Sequence, residues 1–134
     1  IVVKSDSIQS VKDFLLNISE PQLIDINFSK TIYDYNLGIF VDARDSSQFN
    51  SGHIFNAINI PWDTYSTEQI SNSLNDILYD RIIIVYCGGG DCTLSMDLAD
   101  YIFNDLAFEK VLIFEGGYPI WIENKFPIKG DSLR

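Results

Sequence analysis

Two cysteines at the ends of a glycine-rich segment are the residues with the clearest chemistry. The segment comprises Cys87, Gly88, Gly89, Gly90, Asp91, Cys92 and Thr93. Glycines let the backbone curl so that successive N–H groups point at one anion, and a following helix would add its positive end. A cysteine held there is expected to be a thiolate near neutral pH, and a thiolate is a nucleophile. The segment is therefore a candidate active-site loop, with Cys87 as the nucleophile and the residues from Gly88 to Thr93 as binding groups.

Each polar residue of the loop also has a structural interpretation. Cys87 could be an inert core cysteine before a tight turn, although three consecutive glycines exceed what a turn needs. The Asp91 carboxylate opposes ionisation of a nearby thiol, or it caps a helix. Cys92 could attack a persulfide or sulfenic acid on Cys87, releasing hydrosulfide or water and leaving a disulfide, or it could be a small buried residue. The sequence leaves these alternatives open.

The apolar periodicity predicts strands that alternate with helices along the whole chain. Strands are predicted over 23–26, 39–42, 57–60, 81–86 and 111–114, and helices over 7–18, 28–35, 46–51, 68–78, 94–106 and around Trp121. Asn27 is the expected cap of the second helix. Such alternation implies an α/β sandwich with a mostly parallel central sheet, in which sites lie at the carboxyl ends of the strands. The glycine loop follows the most hydrophobic strand and therefore lies where a site is expected.

Length and composition indicate one domain. The 134 residues, 46% of them apolar, suffice for one core. Residues 1–20 are predicted to be an N-terminal helical extension or linker, and residues 21–134 the domain itself. The chain begins at Ile1 without an initiator Met, which suggests a piece of a longer protein and leaves the compartment open. The longest apolar run, 82–86, is too short to cross a bilayer, so this piece is expected to be soluble.

The charge and the ligand-type residues narrow the function classes. A net charge of −10 argues against binding to nucleic acid or to an anionic membrane surface. The acidity serves solubility or favours a protein partner with a basic surface. Two cysteines are too few for a disulfide scaffold, and one histidine without a nearby cysteine pair provides no zinc site. Neither a metal nor another cofactor is expected.

Three groups of residues resemble the signatures of the rhodanese-like sulfurtransferases. They are Val41-Asp42-Ala43-Arg44 with Phe49, Gly52-His53-Ile54, Ala57 and Asn59-Ile60-Pro61; then Ile84-Val85-Tyr86-Cys87 with the glycine loop; then Gly116-Gly117 with Trp121 and Pro127. The resemblance covers about residues 22–128. It implies a three-layer sandwich with a central five-stranded parallel sheet and helices on both faces. It also implies that Cys87 accepts the sulfur.

The loop departs from parts of the family in ways that bear on the substrate. It looks like the six-residue loop of sulfurtransferases, not the seven-residue loop of related dual-specificity phosphatases, and it lacks their phosphate-holding arginine. Many thiosulfate-using members have a basic residue where this chain has Cys92. Thiosulfate is therefore expected to be a poor donor, and a small persulfide, a polysulfide or another protein's persulfide a better one.

Three further residues of the first signature could assist the loop. In the family, the counterparts of Asp42 and Arg44 lie near the active loop, and Arg44 is one of few cations that could reach a substrate. A structural ion pair at the strand end is the favoured alternative. His53 could act as a general base, but a thiolate needs none, so a structural role is favoured for it as well.

Three functions follow from these residues. The first is a sulfurtransferase that takes sulfur from a small donor as a persulfide on Cys87 and passes it to a thiol acceptor. The second is a dithiol redox or polysulfide-reducing module that uses Cys87 and Cys92, within a longer, membrane-attached parent protein. The third is a non-catalytic docking domain, against which the retained cysteine and intact loop argue.

Overall fold

Strands and helices alternate along the chain in the computed structural model, which describes residues 1–5 and 7–130. The strands are β1 (Val2–Val3), β2 (Gln22–Ile24), β3 (Gly38–Asp42), β4 (Gly52–Ile54), β5 (Ile58–Asn59), β6 (Ile82–Tyr86), β7 (Lys110–Phe114) and β8 (Ile128–Gly130). The helices are α1 (Ile8–Asn17), α2 (Ile26–Asp34), α3 (Ser46–Ser51), α4 (Thr67–Leu74), α5 (Leu94–Asn104) and α6 (Gly117–Glu123).

The central sheet is parallel throughout and has six strands in the order β1-β2-β7-β6-β3-β5. Strand β6 lies between β3 and β7, with Val85 paired to Val41 on one side and to Ile113 on the other. The predicted mostly parallel sheet is confirmed, but the predicted count of five strands is wrong. The sixth strand is β1, whose two residues are too few to show a periodicity and which is a strand because it pairs with β2.

A second, two-stranded sheet was not predicted. Strands β4 and β8 pair antiparallel, with Ile54 opposite Ile128 and Gly52 opposite Gly130. Each strand has only three residues, and their partners are about 75 positions apart, so no local pattern signals the pairing. This small sheet joins the end of α3 to the C-terminal part of the described chain.

Helices cover both faces of the central sheet, as predicted. Along β6, Ile84 and Tyr86 point into one buried cluster and Ile83 and Val85 into the other, which is the two-residue period of a strand. Helices α1, α2 and α6 contribute to the first cluster, and α4 and α5 to the second. Burial on both faces explains why β6 is an uninterrupted apolar run.

Several helix boundaries differ from the sequence prediction by one to four residues, and two of these differences have a clear local cause. Helix α4 ends at Leu74, not at residue 78, because the chain turns there to reach β6 and the Ile77 amide donates to the Leu74 carbonyl. Leu78, predicted on the buried face, is 71% exposed. Helix α2 begins earlier than predicted because Asp25, not Asn27, caps it by accepting a hydrogen bond of 2.9 Å from the Phe28 amide.

The N-terminal segment packs directly against the rest of the chain. Val11 and Leu15 of α1 are buried in the cluster that contains Phe28, and the rings of Phe14 and Phe28 meet edge to face at 5.4 Å. Within the described part of the chain, no helix combines the length and the apolar content needed to span a bilayer. The division of the chain at residue 20 stays a prediction, which the following substitutions test.

Replacing Leu15 by Ala should destabilise the whole domain, whereas the same replacement at Leu16 should not. Leu15 is 5% exposed and Leu16 is 77% exposed, although they are neighbours. Burial predicts a loss of about 2–5 kcal/mol for Leu15→Ala and a change within about 0.5 kcal/mol for Leu16→Ala. Urea unfolding followed by tryptophan fluorescence measures both. Equal, small effects would show that residues 1–20 are an independent extension.

Candidate active site

Cys87 follows directly after the central strand β6, at the carboxyl end of the sheet. Its side chain is only 2% exposed and belongs to the cluster beneath α4 and α5. Its carbonyl accepts a hydrogen bond of 2.9 Å from the Tyr118 amide at the start of α6. The strand and the last helix thus fix the backbone of the predicted nucleophile from both sides.

The glycines after Cys87 are not equivalent. Gly89 and Gly90 have φ angles of +70° and +58°, a conformation that other residues rarely adopt. A Cβ atom on Gly89 would also lie 2.5 Å from the Gly116 carbonyl oxygen. Gly88 has no such φ angle and open space around it. The curl of the loop therefore depends on the second and third glycines and not on the first.

The Gly116–Gly117 turn presses against this loop from the side of α6. Gly117 has a φ angle of +69°, and a Cβ atom on it would lie 2.5 Å from the Cys87 carbonyl oxygen and 2.6 Å from the Gly89 nitrogen. Backbone therefore meets backbone, with no space for side chains. This contact explains the glycine at position 117, the first residue of α6.

The structure joins Cys87 and Cys92 in a disulfide, with the two Cα atoms 6.5 Å apart. The Cys92 amide, predicted to face a bound anion, donates instead to the Gly89 carbonyl at 3.0 Å and closes a turn within the loop. Cys92 is half-buried, whereas Cys87 is buried. The structure thus brings together two sulfurs whose relation the sequence left open. The Cys92 sulfur is the more accessible of the two to solvent.

Ser95, which the sequence analysis missed, contacts the Cys87 sulfur. Its hydroxyl oxygen lies 3.3 Å from the sulfur, and the residue, in the first turn of α5, is 3% exposed. A signal for it exists in the sequence. The buried residues of α5 recur at the helical spacing and are Ser95, Leu98, Ala99 and Ile102. A hydroxyl group therefore occupies a position at which this pattern predicts an apolar side chain.

The predicted pair Asp42 and Arg44 forms a buried ion pair. Arg44 donates from Nη2 to the carboxylate at 2.7 Å and from Nε at 3.0 Å, and Nη2 also donates to the Gly52 carbonyl at 2.6 Å. Burial alone would lower the pKa of Arg44, but the hydrogen bonds and charge of Asp42 outweigh it, so the pKa is raised. Arg44 is therefore a permanent cation with its charge committed to Asp42.

Arg44 reaches the loop through Tyr118. The guanidinium carbon stacks 4.3 Å from the centre of the Tyr118 ring, and the amide of the same Tyr118 holds the Cys87 carbonyl. The Tyr118 hydroxyl is buried and has no hydrogen-bond partner among the described residues. The ion pair is thus linked to the loop by the packing of side chains. It does not direct a charged group toward a substrate.

His53 is held in the small second sheet. Its Nδ1 atom lies 2.8 Å from the Phe49 carbonyl oxygen, and its ring stacks on the Phe49 ring with the centres 3.6 Å apart. Residue 53 pairs with Lys129 across β4 and β8. These contacts commit one ring nitrogen and one ring face to α3, which favours the structural role.

A surface cavity of about 350 Å³ opens beside the loop. It is lined by Leu23, Gly90, Asp91, Cys92, Thr93, Ser95, Met96, Ile113 and Glu115. Three of the predicted binding residues, Gly90, Asp91 and Thr93, thus meet Cys92 there. Among the residues that the structure describes, the lining contains two carboxylates and no Lys or Arg side chain.

Comparison with known proteins places this site in a family. Residues 10–124 match the family described as Rhodanese-like domain. The thiosulfate sulfurtransferase GlpE of Shewanella oneidensis is 28% identical over 107 residues, which are 80% of this chain and 92% of that protein. The tRNA uridine(34) hydroxylase of Escherichia fergusonii is 33% identical over 81 residues, 59% of this chain but only 22% of that enzyme.

Solved structures show the same fold. A crystal structure of a Bacillus halodurans protein superposes with a TM-score of 0.69 at 24% identity, over 92% of this chain and 85% of that one. At this identity the likeness concerns the fold. The parallel sheet with helices on both faces is therefore shared with experimentally determined relatives.

Substituting Gly117 by Ala should disrupt the loop, whereas Gly88→Ala should leave the fold intact. The first change adds strain of about 1–2 kcal/mol for the left-handed conformation and a clash with the Cys87 carbonyl, whereas nothing lies near a Cβ at Gly88. Urea unfolding measures the stabilities. Equal effects of the two substitutions would contradict the proposed backbone contact.

Replacing Arg44 by Met should cost about 3–5 kcal/mol of stability, because it leaves the Asp42 carboxylate buried without its partner. The double variant with Asp42→Asn should recover part of that loss. Chemical denaturation of the wild type and of these two variants measures both effects. Unchanged stability together with a selective loss of loading from thiosulfate would instead assign Arg44 to the substrate.

Proposed function

Because the chain belongs to the rhodanese-like domain family, we propose that it is a sulfurtransferase that carries sulfane sulfur as a persulfide on Cys87. The position of the Cys87 sulfur supports this most directly. It lies after the central strand, against the first turn of α5 and 3.3 Å from the Ser95 hydroxyl. A helix N-terminus and a hydroxyl donor both favour an anionic sulfur, which loading requires.

The loading step uses the reduced form of the loop. The Cys87 thiolate attacks the outer sulfur of a donor, a new S–S bond forms at Cys87, and the donor's own bond to that sulfur breaks. The remainder of the donor leaves with the electron pair. The product is a persulfide on Cys87 whose terminal sulfur is again an anion when deprotonated, so the same helix end stabilises it.

The surroundings of the loop favour a donor with little negative charge. Asp91 and Glu115 line the adjoining cavity, and Arg44, one of the few cations that could reach a substrate, is committed to Asp42. A small organic persulfide, which carries at most one negative charge on its sulfur, therefore fits better than the thiosulfate dianion. The name of the Shewanella relative makes thiosulfate the alternative to test.

Two acceptors can take the sulfur. An external thiolate can attack the terminal sulfur, which restores the Cys87 thiolate. Alternatively, the Cys92 thiolate attacks the inner sulfur on Cys87, the Cys87 persulfide bond breaks, and hydrosulfide leaves. The Cys87–Cys92 disulfide favours the second route, because it is the product of that step. The second candidate function is accordingly a polysulfide-reducing dithiol module, which an external reductant must return to the dithiol.

A single-turnover experiment tests the proposal and separates the two routes. Reduced protein is mixed with less than one equivalent of polysulfide, and released hydrosulfide and the intact mass are measured. We expect wild type to release about one hydrosulfide per disulfide formed. Cys92→Ser should instead gain the mass of one sulfur atom and release none. Cys87→Ser, the background control, should do neither.

Two results would contradict these assignments. Sulfur gain by Cys87→Ser equal to that of Cys92→Ser would show that Cys87 is not the carrier. Hydrosulfide release by Cys92→Ser at the wild-type level would exclude the intramolecular acceptor and leave transfer to an external thiol. Repeating the loading with a small organic persulfide and with thiosulfate, of which the dianionic thiosulfate should be slower, tests the donor class.

A further inference from the structure

We propose that the Cys87–Cys92 disulfide is reopened by a small thiol that attacks Cys92, and that the cavity beside Cys92 selects a neutral or cationic thiol over an anionic one. The inference rests on the proposed function in one respect, that the disulfide is a state through which turnover passes. The inference identifies the chemical class of the reductant and the sulfur atom to which the reductant first binds covalently.

The two sulfurs differ in access. Cys87 is 2% exposed and lies in the core beneath α4 and α5, whereas Cys92 is half-buried and lines the cavity of about 350 Å³. A thiolate must approach the sulfur that it attacks, so the accessible sulfur becomes the site of attack. The apolar walls of the cavity, which include Leu23, Met96 and Ile113, leave space for a short aliphatic chain.

The leaving group points to the same direction of attack. When Cys92 is attacked, Cys87 departs as a thiolate beside the first turn of α5 and the Ser95 hydroxyl at 3.3 Å. A stabilised thiolate is the better leaving group. Attack on Cys87 would instead expel Cys92, which lies at the lip of the loop next to the Asp91 carboxylate.

The exchange balances in two steps. A thiolate attacks the Cys92 sulfur, a mixed disulfide forms there, the bond to Cys87 breaks, and its electron pair remains on the Cys87 sulfur. A second thiolate then attacks the external sulfur of the mixed disulfide and releases Cys92 as a thiolate, which takes a proton from water. Two thiolates are oxidised to one external disulfide, and the protein disulfide is reduced to the Cys87 thiolate and the Cys92 thiol.

Charge at the cavity decides which thiol is accepted. Within the described part of the chain, the lining contains the carboxylates of Asp91 and Glu115 and no basic side chain. The whole chain has a net charge of −10. The carboxylates are not themselves the site, which is the Cys92 sulfur. They repel an anionic thiol and attract a cationic one, and salt should weaken both effects.

The site of attack can be mapped because Asp91 separates the cysteines. Oxidised protein is treated with 2-mercaptoethanol, quenched in acid, alkylated and cut on the amino side of Asp residues. Fragment 80–90 then contains Cys87 and fragment 91–96 contains Cys92. We expect the mercaptoethanol adduct on 91–96 and the alkyl group on 80–90. The reverse distribution would overturn the proposal.

The charge preference can be measured with three thiols of equal length, cysteamine, 2-mercaptoethanol and 2-mercaptoethanesulfonate. Reduction rates are compared per thiolate, since the thiols ionise to different degrees. At low salt the cationic thiol should be about five- to tenfold faster than the anionic one. Glu115→Gln should reduce that ratio about two- to threefold. The control Glu109→Gln, at the opposite end of β7, should leave it unchanged.

The outcomes separate this proposal from the proposed function. Equal rates for the three thiols, or equal effects of Glu115→Gln and Glu109→Gln, would overturn the charge selection. Adducts on Cys92 and the expected ranking in a protein that does not load sulfur would sustain this inference while the proposed function fails. The mapping and the rates start from the disulfide alone, so sulfur loading is not needed for either.

Discussion

The site depends on one backbone contact, the close approach of the Gly116–Gly117 turn to the loop that starts at Cys87. A Cβ atom on either Gly89 or Gly117 would lie about 2.5 Å from a carbonyl oxygen of the opposite segment. The hydrogen bond from the Tyr118 amide to the Cys87 carbonyl holds the two segments together. Because the turn follows β7 and the loop follows β6, the pairing of these adjacent strands sets the position of Cys87.

The remaining parts of the site surround this contact from different layers. On one face of the sheet, the buried Asp42–Arg44 pair stacks against Tyr118 and so supports the turn. On the other face, the first turn of α5 brings Ser95 to the Cys87 sulfur. The sulfur thus has a polar neighbour within an otherwise apolar cluster, while Cys92 stays at the surface. The proposed loading at the inner sulfur and the proposed reduction at the outer one rest on this division.

Much of the fold could be predicted because it has a local signal. The apolar run of β6 and the helical spacing of α5 come from burial, which leaves a periodic pattern in the sequence. Strand β1 and the β4–β8 sheet could not be predicted, since strands of two or three residues exist only through distant partners. The end of α4 was missed because Leu78 continues the apolar spacing although the chain has already turned.

The candidate site could be predicted only in part for a related reason. Cys87 and its glycines stand together in the sequence, so their chemistry is visible there. The support from Tyr118 comes from another element. The hydrogen bond from Arg44 to the Gly52 carbonyl joins residues eight positions apart, whose contact is seen only in the folded structure. Ser95 was visible as a polar residue on an apolar helix face, a signal that only a search for such exceptions finds.

The central claim, that Cys87 carries the sulfur, is tested most directly by locating the persulfide in Cys92→Ser. The protein is loaded with polysulfide, alkylated so that the terminal sulfur is capped, and cut at Asp residues. If Cys87 is the carrier, an alkylated persulfide is expected in fragment 80–90, at Cys87 and at no other position. An unmodified or simply alkylated Cys87 after such loading would contradict it.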